Sequence, residues 1–237
     1  MNTLAFDTCF GGCSVAVAWG DRPDGTASAS VSLFEHLERG HAERLMPMIA
    51  DAMAEAPFAL ADVGRIVVTT GPGTFTGQRV GIAAARALAL TSGAEVVTLS
   101  SLAVMAHTAC ARLGGDRPPA VLAIAVDARR DEIYFQAFDG VSLAALGKPA
   151  LTTPEGAAAL LADSGPAVIV AGSGAEAVAE AARARGLAIA ACLLDLQPDM
   201  RHVPFAALRS DGAPPKPLYL RPPDAKPQDG KQLARAP

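Results

Sequence analysis

The sequence is short of several things, and each shortage removes a class of function. No stretch approaches the 18 or more uninterrupted apolar residues that cross a bilayer, although 51% of the 237 residues are hydrophobic. Alanine carries much of that share, so hydropathy overstates how apolar the chain is. Met1, Asn2 and Thr3 run straight into the strand-like "LAFDT", so no basic-then-apolar leader is expected. The expectation is a soluble cytoplasmic protein with no membrane partner. The four cysteines, Cys9, Cys13, Cys110 and Cys192, form no C-x-x-C pair. They read as reduced thiols packed as small hydrophobes, with neither a disulfide nor a zinc site. The histidines show no H-x-x-x-H or H-E-x-x-H spacing, so a metallohydrolase site lacks ligands. There is no G-x-S-x-G nucleophile turn. Basic residues are scattered and the net charge is −4. A protein that grips nucleic acid alone carries a basic stripe for its phosphates, and that stripe is missing.

What is present is a run of alternating strand and helix signals. "NTLAFDTCFGGCSVAVAWG" reads as two strands joined by a glycine turn. "HAERLMPMIADAMAEA" places Leu45, Met48, Ile49, Ala52 and Met53 at helical spacing, with Pro47 in its first turn or kinking it. "RIVVTT" is a short buried strand, "GQRVGIAAARALALTSG" a helix closed by Gly93, "EVVTL" a strand and "SSLAVMAHTACARLGG" a helix. From about Ala120 the pattern restarts: "AVLAIAVDARRDEIYFQAFDG" is strand, turn, strand. "TTPEGAAALLADSG", "AVIVAGSG" and "AEAVAEAARARG" follow as helix, strand and helix. The two hairpins share one plan, and Asp7 and Asp127 occupy equivalent places at the ends of their first strands. Two related α/β lobes, or two unrelated hairpins of similar form, account equally for that echo.

"TTGPGTFTGQRVG" follows a strand and opens a helix, where backbone N–H groups and the helix dipole can hold an anion. It matches neither G-x-x-x-x-G-K-[ST] nor G-x-G-x-x-G, so a nucleotide loop and a tight crossing between parts of the chain both remain open. Gly71, Gly73 and Thr74 are the candidate ligand contacts of this turn. Gly172 and Gly174 in "GSG" are those of a second, adenosine-side turn. Asp7 and Asp127 could face a cleft and meet a metal–phosphate complex, or simply cap their turns. Gly77, Gly81, Ala84, Ala85 and Leu88 fall at spacings of three and four, a smooth helix face for close packing within the monomer or against another subunit.

Together, "AFDTCFGGCSVAV", "HAERLMPMI", "TTGPGTFTGQRVGIAAARALAL", "LSSLAVMA", "VDARRDEIYFQAF" and "PLYLRPPDAK" resemble, in order and spacing, the bacterial TsaB (YeaZ, glycoprotease-like) family of tRNA threonylcarbamoyladenosine biosynthesis. The resemblance covers nearly the whole chain and is most specific at "GPGTFTGQR" and the "DAR…E-Y" hairpin. It departs from the family at Gln78, where an aliphatic residue is expected, and at Gly40, where an acidic one is.

The resemblance implies an α/β fold of the actin, Hsp70 and sugar-kinase (ASKHA) type: two lobes with mixed sheets flanked by helices, the second lobe reduced. The lobes would be residues 1–100 and 101–213, with the tail 214–237 packing back on the first. It implies a non-catalytic partner of a paralogous metal-binding subunit, TsaD. That subunit transfers a threonylcarbamoyl group to N6 of the adenosine beside the anticodon. A small ATPase, TsaE, joins them, and tRNA is reached indirectly. The same resemblance implies a homodimer when the chain is alone. No cofactor is assigned, though ATP or ADP could lie at a subunit junction. Both kinds of pairing would use the helices carrying His41, Leu45, Met48 and Ile49, and Gly77, Gly81, Ala84, Ala85 and Leu88. A charge at Gly81 or Ala85 would then block pairing and leave the monomer folded. The competing reading is an independent ATP-dependent phosphotransferase, or a glycoprotease-like hydrolase, of the same fold.

Overall fold

The computed structural model describes residues 1–21, 27–114, 121–162, 165, 167–210 and 212–221. The tail beyond 221, including the "PPDAK" end of the last motif, lies outside the described residues.

Two five-stranded sheets repeat one topology. The first contains β1 (Thr3–Asp7), β2 (Gly12–Asp21), β3 (Ala27–His36), β4 (Arg65–Thr69) and β5 (Glu95–Leu99), in the order β3-β2-β1-β4-β5. The second contains β6 (Val121–Asp127), β7 (Ile133–Asp139), β8 (Ala150–Thr152), β9 (Val168–Ala171) and β10 (Ile189–Leu193), in the order β8-β7-β6-β9-β10. In each, the first strand pairs antiparallel with the second and parallel with the fourth. The hairpin echo is therefore the visible part of a whole repeated unit: two lobes, each a mixed sheet flanked by helices. The second copy is smaller. Its helices α4 (Pro154–Leu160, 7 residues) and α5 (Ala175–Ala184, 10 residues) stand where the first has α1 (His41–Ala54, 14 residues) and α2 (Phe75–Ser92, 18 residues).

Alternation along the first sheet divides its faces by side-chain size. Leu4 and Phe6, Val15 and Val17, and Ile66 and Val68 form the large face, which packs on Leu45, Met48 and Ile49 of α1 and on Ala85 and Leu88 of α2. Each such side chain taken fully out of water stabilises the fold by roughly 1.5–3 kcal/mol. Ala5, Ala16, Ala18 and Val67 form the small face, which admits Val104, Met200, Val203 and Phe205 at close range.

Local chemistry sets the helix ends. Thr74, Ser100 and Thr153 cap α2, α3 (Ser101–Arg112) and α4 by accepting from the N–H groups of Gly77, Ala103 and Gly156. Gly93 stops α2 at φ 72°. Pro47 lies in the second turn of α1, on its exposed side, where the carbonyl it leaves unpaired can meet water.

Two segments link the lobes. Helix α3 serves both lobes: Leu102, Met105, Ala106 and Ala109 join the second sheet's cluster, while Val104 joins the first sheet's small face. Residues 200–208 return to the first sheet. The Met200 N–H donates to Ser14 Oγ at 2.9 Å, and the buried Arg65 donates to the Phe205 carbonyl at 2.8 Å.

Candidate functional site

Strand β1 delivers Asp7 to the centre of the first lobe. It is fully buried. Thr69 Oγ1, at the end of β4, donates to one carboxylate oxygen at 2.5 Å, and the Cys9 N–H donates to the other at 3.2 Å. Burial pushes the Asp7 carboxyl up to about 6, with the Thr69 and Cys9 hydrogen bonds opposing. Burial, and then the Asp7 charge, push the Cys9 thiol well above its usual range, so it is no nucleophile. Asp7 does not face a cleft; it ties the ends of β1 and β4 together. Asp127, its counterpart in the second lobe, is exposed and caps its own turn by accepting the Arg129 N–H at 2.7 Å. The two carboxylates share a topological place and no common site.

The glycine turn approaches its own chain. A Cβ on Gly73 would stand 2.4 Å from the Cys9 carbonyl oxygen, and one on Gly77 1.9 Å from that of Thr8. Only glycine fits where α2 crosses the β1–β2 turn. Two bonds fix the crossing: Thr74 N–H to the Cys9 carbonyl, and Thr8 Oγ1 to the Gly77 carbonyl, each 2.7 Å. Gly71, at φ 111°, borders the Gln78 amide, whose carbon would lie 2.7 Å from an added Cβ. Gln78 Nε2 donates to the Gly73 carbonyl at 2.9 Å, so this buried side chain fills the turn from inside. That is the place of the sequence's departure from its family pattern. The second turn repeats the scheme. Added Cβ atoms on Gly172 and Gly174 would meet the Ala125 carbonyl oxygen at 2.3 Å and Ile133 Cδ1 at 2.6 Å.

Between the lobes the β1–β2 turn carries an apolar plug. Phe10, 8% exposed, and Cys9 join Leu102, Met105, Leu122, Ile124, Val126, Phe138 and Leu196 in one buried cluster. The Phe10 and Tyr134 ring centroids are 6.3 Å apart, and Gln197 lies against Gly11 and Gly12. Sequence reasoning missed Phe10. An aromatic residue inside a glycine hairpin turn, where small polar residues prevail, was the available signal.

The residues expected at a subunit interface point inward. Leu45, Met48, Ile49, Ala85 and Leu88 belong to the first lobe's core, and Gly77 and Gly81 are spent on Thr8. His41 is buried with Nε2 unpartnered; Ala84 is half-buried against the core. A charge at Gly81 or Ala85 would therefore break the monomer before it could block pairing. The outer faces of the same two helices expose Met46 and Ala50 on α1, and Ala83, Ala87 and Leu90 on α2. Leu90 is 88% exposed.

The segment from Pro214 to Arg221 crosses the start of α2 and reaches the second lobe. Arg86 donates to the Pro215 carbonyl, Leu218 N–H to that of Thr70, and Arg79 Nε to Tyr219 Oη at 2.8 Å. Arg221 pairs with Glu132 and donates to the Arg129 carbonyl. The hairpin turn it holds has Arg129, Arg130 and Asp131 all at positive φ. Among the described residues, no group of three or more His, Cys, Asp or Glu could hold a metal ion, and no helix is long and apolar enough to cross a membrane.

Known proteins share this arrangement. A family model described as TsaD, tRNA N6-adenosine threonylcarbamoyltransferase, matches residues 35–191. The tRNA threonylcarbamoyladenosine biosynthesis protein TsaB of Escherichia coli (strain K12) is 39% identical over 135 residues, 57% of this chain and 54% of that protein. The match thus spans about half the length of that curated relative. An uncharacterised protein of Mycobacterium tuberculosis (strain ATCC 25618 / H37Rv) is 36% identical over 193 residues, 80% of this chain and 79% of that one. Among solved structures, a Pseudomonas aeruginosa protein described as similar to peptidase YeaZ superposes with a TM-score of 0.78 at 30% identity, covering 93% of this chain and 99% of that one. YeaZ from Pseudomonas aeruginosa gives 0.77 at 28% identity, covering 92% and 99%. With the doubled sheet, the crossing glycines and these matches, the chain belongs to the TsaB (YeaZ) family, within the group that the TsaD model describes.

Proposed function

We propose that this chain is a non-catalytic partner subunit of a complex that transfers a threonylcarbamoyl group to N6 of the anticodon-adjacent adenosine of tRNA. The observation that carries this reading is the plug. A phosphotransferase of this architecture needs an open, polar crevice between its lobes for nucleotide and metal. Here Phe10, Tyr134 and Leu196 pack apolar surface in that position, and Asp7 is sealed from solvent. Opening the crevice would expose that cluster to water.

The chain's contribution is then a surface. The outer faces of α1 and α2, with Met46 and Leu90 exposed among alanines, suit a second helix pair. The occupant is the paralogous, metal-binding TsaD-type subunit, and a second copy of this chain when that subunit is absent. A small TsaE-type ATPase acts on the pair, and any ATP or ADP is held at the junction between subunits.

The test is reconstituted threonylcarbamoylation of tRNA with the TsaD-type subunit, the small ATPase and a supply of the threonylcarbamoyl adenylate. Modification is expected to require both this chain and the paralogue, and to be absent with this chain alone. Equal modification without this chain would overturn the reading. ATP turnover by the purified chain, lost on Asp7→Asn, would instead support an independent phosphotransferase.

A further inference from the structure

Among the described residues, the exposed aromatic side chains are Phe75 and Tyr219, at 54% and 43% accessibility. They come from distant parts of the chain, yet they stack on each other with ring centroids 5.5 Å apart and planes 22° from parallel. The Arg79 guanidinium lies 3.6 Å above the Phe75 ring, held there by its bond to Tyr219 Oη. Two rings and a guanidinium plane are thus fixed in place and left half in water. The strap that carries Tyr219 is anchored by other groups, through the Arg86–Pro215 and Leu218–Thr70 bonds. Near Phe75 and Tyr219 in the chain stand Thr74, Thr76 and Lys216, all exposed. A protein-binding hot spot is bordered by residues that exclude water; the residues near these two rings in the chain carry hydroxyls and a cation instead. The cluster also sits on the first turn of the 18-residue helix α2, the end that favours anions.

We infer that Phe75, Arg79 and Tyr219 form a stacking platform for an unpaired base of single-stranded RNA, with Lys216 and the start of α2 meeting the adjoining phosphate. Every base has a π face, so such a platform binds without reading sequence, and its affinity falls with salt through the phosphate contacts. The inference rests on the proposed function, in which RNA is the substrate. It goes further by giving this chain a direct contact where the sequence suggested only indirect access.

The experiment uses an anticodon stem-loop RNA carrying a fluorophore, titrated with the chain alone and with the chain assembled on its TsaD-type partner. Phe75→Leu and Tyr219→Leu keep apolar packing against the strap but remove a ring; Tyr219→Phe keeps the ring and loses only the hydroxyl. Each leucine variant is expected to weaken RNA binding by about tenfold. In reconstituted modification each should raise KM for tRNA by a similar factor with kcat unchanged, and Tyr219→Phe should remain within about twofold of the wild type. Wild-type protein without RNA affinity in either form, or leucine variants equal to wild type, would overturn the inference. So would variants that lose the partner protein while keeping RNA. RNA binding that depends on the rings in a chain that does not support modification would leave the platform standing and remove the proposed function instead.

Discussion

Gly77→Ala is the substitution whose outcome the packing determines most directly. In an exposed helix interior, alanine in place of glycine stabilises by about 1 kcal/mol. At Gly77 the new Cβ would stand 1.9 Å from the Thr8 carbonyl oxygen and 2.6 Å from Thr74 Oγ1. The first of these is backbone and cannot swing aside, so the start of α2 must withdraw from the β1–β2 turn. Overpacking of this kind costs about 1–3 kcal/mol. Withdrawal also lengthens the Thr8–Gly77 and Thr74–Cys9 hydrogen bonds, each contributing about 1 kcal/mol. The net expectation is a loss of about 3 kcal/mol, a large part of the ~5–15 kcal/mol that holds a typical domain folded.

Urea unfolding would show the loss through Trp19, the single tryptophan, which packs edge-on against Phe58 at 6.0 Å. With a slope of about 2–3 kcal/mol per molar urea, the midpoint should fall by about 1 M. Ala87→Gly, on the exposed side of α2, gives the scale of a propensity effect alone, about 1 kcal/mol in the destabilising direction. A Gly77→Ala midpoint at or above wild type would refute the reasoning. The glycine face would then be free of the β1–β2 turn and available to another subunit.

Other perturbations probe other parts of the molecule. The Asp7 carboxyl is raised from 3.8 to about 6 by burial, so the folded state holds more protons than the unfolded one between those values. Its contribution therefore raises stability as pH falls from 7 towards 4, by on the order of 2–3 kcal/mol. Asp7→Asn should remove that slope from urea midpoints compared at acidic and neutral pH, and an unchanged slope would contradict the burial argument. Phe10→Ala should cost about 3–5 kcal/mol by leaving a cavity between the lobes; hydrogen exchange should then rise at the ends of both β1 and β6, and protection lost in only one lobe would argue against the plug. Leu90→Glu, on a side chain 88% exposed, should leave stability within about 0.5 kcal/mol while weakening assembly with the TsaD-type subunit by tenfold or more, read by calorimetric titration.

The hairpin at the head of each lobe was legible, an apolar strand ending in aspartate before a short turn, but it left two unrelated hairpins equally open. The doubled architecture followed from the family resemblance, because the pairing of each hairpin with later strands leaves no local pattern. The third strand of each sheet was not legible. β3 is an edge strand with the sequence "ASASVSLFEH", whose serines and alanines lack the β-branched, half-buried alternation that marks a strand. β8 is three residues long, too short to carry a period. The smooth face of α2 was read from spacing, but spacing gives a face and not its neighbour. The neighbour proved to be Thr8, nearly seventy residues earlier. Asp7 was picked out by position, yet whether a strand-end carboxylate turns outward or inward depends on Thr69, which the sheet brings beside it. The burial of Phe10 was not legible, because a hairpin turn offers no reason for burial until a second lobe is placed against it.

The return of residues 200–208 to the first sheet has a consequence for how the chain comes into being. As it leaves the ribosome, the first sheet can pair its five strands and cover its large face with α1 and α2 early. Its small face must wait, because Met200, Val203 and Phe205 emerge only after the second lobe has been made. Until then the alanine surface of β1 and β2 is open, and Ser14 and Arg65 lack the backbone groups that later satisfy them. Translation order thus makes the amino-terminal lobe, first to be synthesised, the last to be finished, and a ribosome-stalled chain ending before 196 should be more readily cut by protease in its first sheet than the released protein.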